Sequence, residues 1–189
     1  MIDLAAAIGA RQLSPVEVTN HYLRRTEELN AKVGAFYTVT AELAQEQARA
    51  AEKAVTDRSE SAPLPPLLGV PIPIKDLNMV AGVRQTFGSA VYEDYVAGDD
   101  DYVVAAIRSA GAVITGKTAT PEFGLPCYTE TATGPPARTP WDLSRSAGVS
   151  SGGAAAAVNL LRLDAWWTGK PLDRTRTTHL QRLDFSRAA

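Results

Sequence analysis

Hydrophobic positions in the first sixty residues recur at the spacing of an amphipathic helix. Val18, Tyr22 and Leu29 fall on one side of such a helix, and charged residues lie between them. The segment Ser14-Pro15-Val16-Glu17 is a capping box with proline at the first helical position, so it predicts where this helix begins. A second helix is predicted over residues 41–55, which are rich in good helix formers.

The pattern changes to short apolar runs that are typical of strands. Residues 35–39 form one such run, and residues 68–74 form an apolar run with interspersed prolines that suits an edge strand or an extended segment. A helix is predicted after the acidic residues 99–101, and a buried strand over residues 112–115. Helices that alternate with strands through short breaks predict an α/β fold with a sheet rather than a helical bundle.

Composition and charge exclude several classes of protein. The chain has 189 residues, 45% hydrophobic and 21% charged, which is typical of one globular domain and not of a disordered chain. A net charge of −2 gives no basic field, so neither nucleic acid nor an anionic membrane is an expected partner. Asp3 stands where a signal peptide carries Lys or Arg, and no apolar run approaches the roughly 20 residues of a membrane span. These features predict a soluble, cytoplasmic protein.

Cysteine and histidine are too rare for several kinds of site. Cys127 is the single cysteine, which excludes an internal disulfide framework, and we interpret it as a buried or loop thiol with a structural role. With His21 and His179 as the only histidines, a Cys/His zinc site lacks ligands. No metal and no cofactor are therefore predicted.

The segment Gly111-Ala-Val-Ile-Thr-Gly116-Lys117-Thr118 matches the phosphate-binding loop pattern. That pattern needs a strand, then a loop of free amides, then a helix. Here the middle residues are themselves the predicted strand, and Pro121 follows shortly afterwards. We therefore interpret the match as coincidental.

Two other features are candidates for chemistry. Lys75 ends the apolar run 68–74; such a lysine commonly extends into water, but a buried lysine has a lowered pKa and can act as a neutral base. A cluster of serines and glycines at residues 144–153 leads directly into a run of alanines. A flexible linker is the more common meaning of such a cluster, whereas at a helix entrance glycines permit close backbone approach and leave amide donors free.

Three segments, in this order, resemble successive blocks of the amidase signature family. They are Leu68-Gly-Val-Pro-Ile-Pro-Ile-Lys75-Asp-Leu, Gly116-Lys-Thr-Ala-Thr-Pro-Glu-Phe-Gly124 and Pro140-Trp-Asp-Leu-Ser-Arg-Ser-Ala-Gly-Val-Ser-Ser-Gly-Gly153. The resemblance covers about residues 1–158. It implies an α/β fold of the amidase signature type, a mixed sheet flanked by helices, of which only the N-terminal part is present.

The resemblance also implies a function and site residues. Family members cleave carboxylic amides through an acyl-enzyme with a Ser–cis-Ser–Lys triad. By motif, Lys75 is the general base and Ser150 the bridging serine in a cis peptide, with Ser151, Gly152 and Gly153 in supporting positions. The implied substrate is a small-molecule amide.

The sequence departs from the family pattern after Ser151. The family places its nucleophilic serine in a later glycine-rich turn, and this sequence has no such turn; Ser186 is the only later serine. Val149 stands where the family usually has glycine, and Ala154 where it often has serine. A truncated and inactive member of the family is therefore expected.

The last residues differ from the rest of the chain in composition. Residues 159–189 carry a net charge of +3 against −5 for residues 1–158, and only Gly169 of the 14 glycines lies there. We predict two parts: an N-terminal amidase-signature part over 1–158, and an unrelated, frameshifted or disordered tail over 159–189. The alternative functions are a non-catalytic remnant or binding module that self-associates through an incomplete sheet, and an amidotransferase A-type subunit.

Overall fold

The computed structural model describes residues 2–59, 62–148 and 150–160. Within these ranges the elements are, in chain order, α1 (Ile2–Gly9), α2 (Pro15–Val33), β1 (Phe36–Val39), α3 (Ala41–Asp57), β2 (Pro71–Lys75), α4 (Tyr102–Ser109), β3 (Val113–Thr118), β4 (Arg138–Thr139), β5 (Asp142–Ser146) and α5 (Gly152–Leu160). The predicted tail over residues 159–189 lies outside the described residues from 161 onwards, and its origin stays a prediction.

The helices and strands follow the sequence signals. The Ser14 hydroxyl accepts a hydrogen bond from the Glu17 amide at 3.1 Å, which is the predicted cap of α2. Helix α2 ends at Gly34, whose φ of 57° is the left-handed conformation in which many helices stop. The hairpin β4–β5 was not predicted from the sequence, because its strands are short and mostly exposed.

Strand β3 is the centre of a three-stranded mixed sheet with the order β1–β3–β2. It pairs antiparallel with β1 and parallel with β2, and every residue of β3 is buried. The mixed α/β architecture predicted from the sequence is thereby confirmed. Since β2 and β3 are parallel, their carboxyl ends meet at one edge of the sheet, and the residues that follow both strands are close together.

Two apolar clusters hold this sheet between helices. One joins α1, α2 and α3 to the chain that enters β2, with Leu4, Ile8 and Val70 in its centre. The other packs α4 and the segment after β2 against the sheet through Val104 and Ile114. Burial of these side chains holds β2 and β3 against the helices.

The phosphate-loop match lies on β3, not on a loop. Residues 113–118 are strand, and the Lys117 side chain is completely buried. The amides that would bind a phosphate take part in the sheet, which confirms that the match is coincidental.

Cys127 is an exposed loop thiol.

Candidate active site

Lys75 is the last residue of β2 and lies opposite Thr118 in the parallel pairing with β3. Its side chain is half-buried. The chain turns immediately afterwards: the Asp76 amide donates to the Thr118 carbonyl at 3.0 Å, and the Asn78 amide donates to the Lys75 carbonyl at 2.9 Å. Lys75 is therefore the residue at which the extended run ends, as the sequence predicted, and the chain turns directly after it.

Ser150 comes to Lys75 from the far end of the described chain. It lies in the turn that leads into α5, and its hydroxyl oxygen accepts a hydrogen bond from the Lys75 Nζ at 2.8 Å. The same hydroxyl donates to the Gly124 carbonyl at 3.3 Å. The structure therefore brings together the two residues that the sequence named as base and bridging serine.

The surroundings of Lys75 shift its protonation equilibrium towards the neutral amine. Removal from water lowers the pKa of Lys75 below that of an exposed lysine, because a buried ammonium loses hydration. A neutral amine at hydrogen-bonding distance from a hydroxyl can accept its proton. The arrangement is thus capable of general-base chemistry.

We expect the free energy of unfolding to rise with pH between the lowered pKa of Lys75 and the ordinary lysine value near 10.5. In this window the unfolded chain binds the Lys75 proton and the folded protein does not, so stability increases with pH. Lys75→Met cannot show this increase. In urea titrations from about pH 7 to about pH 11, the stability of the wild type relative to Lys75→Met should therefore rise, and a constant or falling difference would contradict the prediction.

Two glycines at the start of α5 allow its backbone to touch the sheet. The Gly153 amide donates to the Ala119 carbonyl at 3.2 Å. A Cβ on Gly153 would lie 2.3 Å from the Ala119 nitrogen, and a Cβ on Gly152 would lie 2.6 Å from the Thr129 hydroxyl. Close approach, rather than flexibility, is the physical reason for these glycines, so the cluster is a helix entrance and not a linker.

Ser151 lies at the first turn of α5, where its carbonyl accepts the Ala155 amide at 3.0 Å. The described residues contain no cis peptide bond, which makes the Ser150–Ser151 bond trans. The bond before Ser150 involves Val149, which lies outside the described residues, as does Ser186. The cis geometry and the supporting role of Ser151 stay predictions.

A buried ion pair that was not predicted from the sequence lies directly behind Lys75. The Lys117 Nζ is 2.9 Å from the Asp76 Oδ1, and both side chains are almost completely buried. Burial lowers the pKa of Lys117, while the Asp76 carboxylate opposes that shift. The sequence shows Asp76 next to Lys75, but it does not show that Asp76 pairs with Lys117, which lies within the coincidental phosphate-loop match.

Aromatic side chains form the exposed surface next to Gly124. Phe123 and Phe87 both have left-handed backbone, with φ of 50° and 53°, and the Phe123 amide donates to the Phe87 carbonyl at 2.7 Å. Their rings contact the ring of Tyr92 edge-on. Such strained backbone persists only where its surroundings hold it firmly. The result is an apolar surface beside the residue whose carbonyl binds Ser150.

Neither a metal centre nor a membrane-spanning helix is found in the part of the chain that the structure describes. Among these residues, no group of three or more His, Cys, Asp or Glu side chains is placed to hold a metal ion. Within the same ranges, none of the helices combines the length and the apolar character needed to cross a bilayer.

Comparison with known proteins identifies relatives over most of the chain. The family model called Amidase matches residues 17–161. An inferred amidase of Synechocystis sp. is 44% identical over 157 residues, which are 83% of this chain and 31% of the relative. The glutamyl-tRNA(Gln) amidotransferase A subunit of Thioalkalivibrio sulfidiphilus is 41% identical over 156 residues, 82% of this chain and 31% of the relative.

A solved structure shows the same fold. A bacterial aryl acylamidase of the amidase signature enzymes superposes with a TM-score of 0.74 at 29% identity, over 82% of this chain and 32% of that one. The chain thus spans about a third of the length of these relatives, and its sheet is an incomplete part of their fold. Because the family model covers most of the sequence and a solved member shares its architecture, this chain belongs to the amidase family.

Proposed function

We propose that Lys75 and Ser150 form the proton relay of an enzyme that hydrolyses the C–N bond of carboxylic amides. The observation that carries the proposal is the 2.8 Å contact between the Lys75 Nζ and the Ser150 Oγ. The lowered pKa of Lys75 supports it, since the relay requires a neutral amine. Membership of the amidase family gives the reaction class.

The proposed relay moves two protons in sequence. The neutral Lys75 amine takes the proton of the Ser150 hydroxyl, and Ser150 takes the proton of an attacking hydroxyl. The attacking oxygen bonds to the amide carbon, and the C–N bond breaks as the leaving nitrogen receives a proton back through the same relay. Water then attacks the acyl-enzyme, the acyl C–O bond breaks, and the carboxylic acid leaves while the enzyme hydroxyl regains its proton.

The serine proposed to supply the attacking hydroxyl is not among the described residues. Family resemblance assigns it to a serine in a later glycine-rich turn, and Ser186 is the only serine of this sequence beyond Ser151. We propose residues 1–158 as the N-terminal part of an amidase domain, which supplies base and bridging serine. The aromatic surface beside Gly124 supports amides with apolar or aromatic groups as the substrate class.

Where the wild type releases ammonia from simple aromatic or aliphatic primary amides, Ser150→Ala is expected to abolish that release, because it interrupts the relay. The measurement is the rate of ammonia formation by the purified wild type and the variant. Ser109→Ala is the matched control, since Ser109 is exposed on α4 and its hydroxyl donates to its own helix, at the Ala105 carbonyl. A Ser150→Ala protein as active as the wild type would overturn the proposed function.

Two other functions remain as outcomes of this experiment. Folded wild type that releases no ammonia from any amide supports a non-catalytic binding module. Ammonia released from glutamine alone supports a role like that named for the amidotransferase A subunit, to which the chain is 41% identical. Self-association is tested on the same samples by their mass in solution.

A further inference from the structure

The Asp76–Lys117 ion pair is part of a closed, buried network. The Asp76 carboxylate bonds Lys117 through one oxygen and the amide and hydroxyl of Thr86 through the other. Lys117 also donates to the Gln85 side-chain oxygen, and the Gln85 side-chain nitrogen donates to the Asp76 carbonyl at 2.7 Å. All four residues are at most 1% exposed, and each charge has a partner.

This network holds Asp76 at every polar atom. Its amide binds the Thr118 carbonyl, its carbonyl binds Gln85, and its carboxylate binds Lys117 and Thr86. Asp76 follows Lys75 directly, so a fixed Asp76 fixes the peptide plane from which the Lys75 side chain departs. The register places Lys75 opposite Thr118 and Ile74 opposite Lys117, so the two lysines project to opposite faces of the sheet.

Burial of the Asp76 and Lys117 charges costs desolvation free energy, which stability alone does not explain. A buried ion pair is often no more stabilising than apolar residues of the same size, so its presence is weak evidence for a role in stability alone. Buried, fully satisfied polar networks do impose one arrangement on the groups they bind. The arrangement imposed here is the turn that carries the candidate base.

We propose that the Asp76–Lys117 pair, with Gln85 and Thr86, is a positioning device that aims the Lys75 amine at Ser150. The inference rests on the proposed function, because it concerns the residue that acts as base there. Asp76 and Lys117 are positioning residues: they act through Lys75 and do not contact Ser150. Because the charges of Asp76 and Lys117 cancel, the pair adds no net charge next to Lys75.

The test measures the pKa of Lys75 by NMR titration of its side chain in the whole protein. The variant is Asp76→Asn/Lys117→Met, which removes both charges together, leaves neither one unpaired in the interior and keeps the side chains at similar size. Once the turn is released, the Lys75 amine is expected to move towards water and to regain hydration. Its pKa should therefore shift upward, towards the ordinary lysine value.

A matched control separates positioning from the loss of any ion pair. Lys53→Met/Asp57→Asn makes the same two substitutions at an exposed pair within α3. This control should leave the pKa of Lys75 unchanged. A second variant, Gln85→Met, keeps both charges but frees the Asp76 carbonyl, and it should shift the Lys75 pKa in the same direction by a smaller amount.

The outcomes distinguish this inference from the proposed function. A folded double variant whose Lys75 titrates like the wild type, with Gln85→Met also unchanged, overturns the positioning role and leaves the relay intact. An ordinary lysine pKa in the wild type itself contradicts the proposed function instead. An upward shift in the double variant, absent from the Lys53/Asp57 control, supports the inference.

Discussion

Lys75→Met is expected to lower any amide hydrolysis that the wild type shows by about 10²–10⁴-fold, which is the usual contribution of a general base. Methionine fills much of the same half-buried space but cannot accept the proton of the Ser150 hydroxyl. The contact that is lost is the 2.8 Å hydrogen bond between Nζ and Oγ. The measurement is the initial rate of ammonia release at saturating amide.

The wild-type rate should also depend on pH in a defined direction. Only the neutral amine acts as base, so the rate should increase as pH rises through the lowered pKa of Lys75 and then level off. Lys53→Met is the matched control, because Lys53 is an exposed lysine on α3. Retention of the wild-type rate by Lys75→Met would show that another group is the base.

Gly153→Ala is expected to destabilise the protein by about 3 kcal/mol, the upper end of the range for overpacking, or by more. The added Cβ would lie 2.3 Å and 2.5 Å from the nitrogen and oxygen of Ala119, and 2.6 Å from the Ala35 oxygen. All three are backbone atoms of residues that adjoin β3 and β1, and they cannot rotate away. Helix α5 must therefore move off the sheet, and Ser150 moves with it.

Urea denaturation measures the stability change, and NMR of the Lys75 side chain reports whether the contact with Ser150 persists. Gly98→Ala is the control, since a Cβ there meets no atom within 4 Å. It should change the free energy of unfolding by less than about 0.5 kcal/mol. Equal effects of the two substitutions would show that the close approach of α5 to the sheet does not hold the site together.

Local features of the fold were predictable from the sequence because their causes are local. The cap at Ser14 and the strand that ends at Lys75 each depend on neighbouring residues, through hydrogen bonds to nearby backbone and the apolar character of the run. The hairpin β4–β5 was not predicted, because its pairing of Arg138 with Ser146 has little apolar pattern to reveal it. Lys75 and Ser150 were identified as candidate site residues because three ordered segments resemble the blocks of the amidase signature family. The local hydrophobic pattern alone would not have identified them.

The order of residues was enough to establish the family and the mixed α/β class, and it named the two residues that we propose for the relay. Folding in three dimensions was needed to show that these residues, 75 positions apart, meet at 2.8 Å, and that Lys117, 41 positions from Asp76, is the partner of that carboxylate. The physical reason is that ion pairs and desolvation depend on distance in space. The distances between these side chains follow from the parallel pairing of β2 with β3 and from the close packing of α5 against the sheet. Both contacts join residues that are far apart in the sequence, so no short segment predicts them.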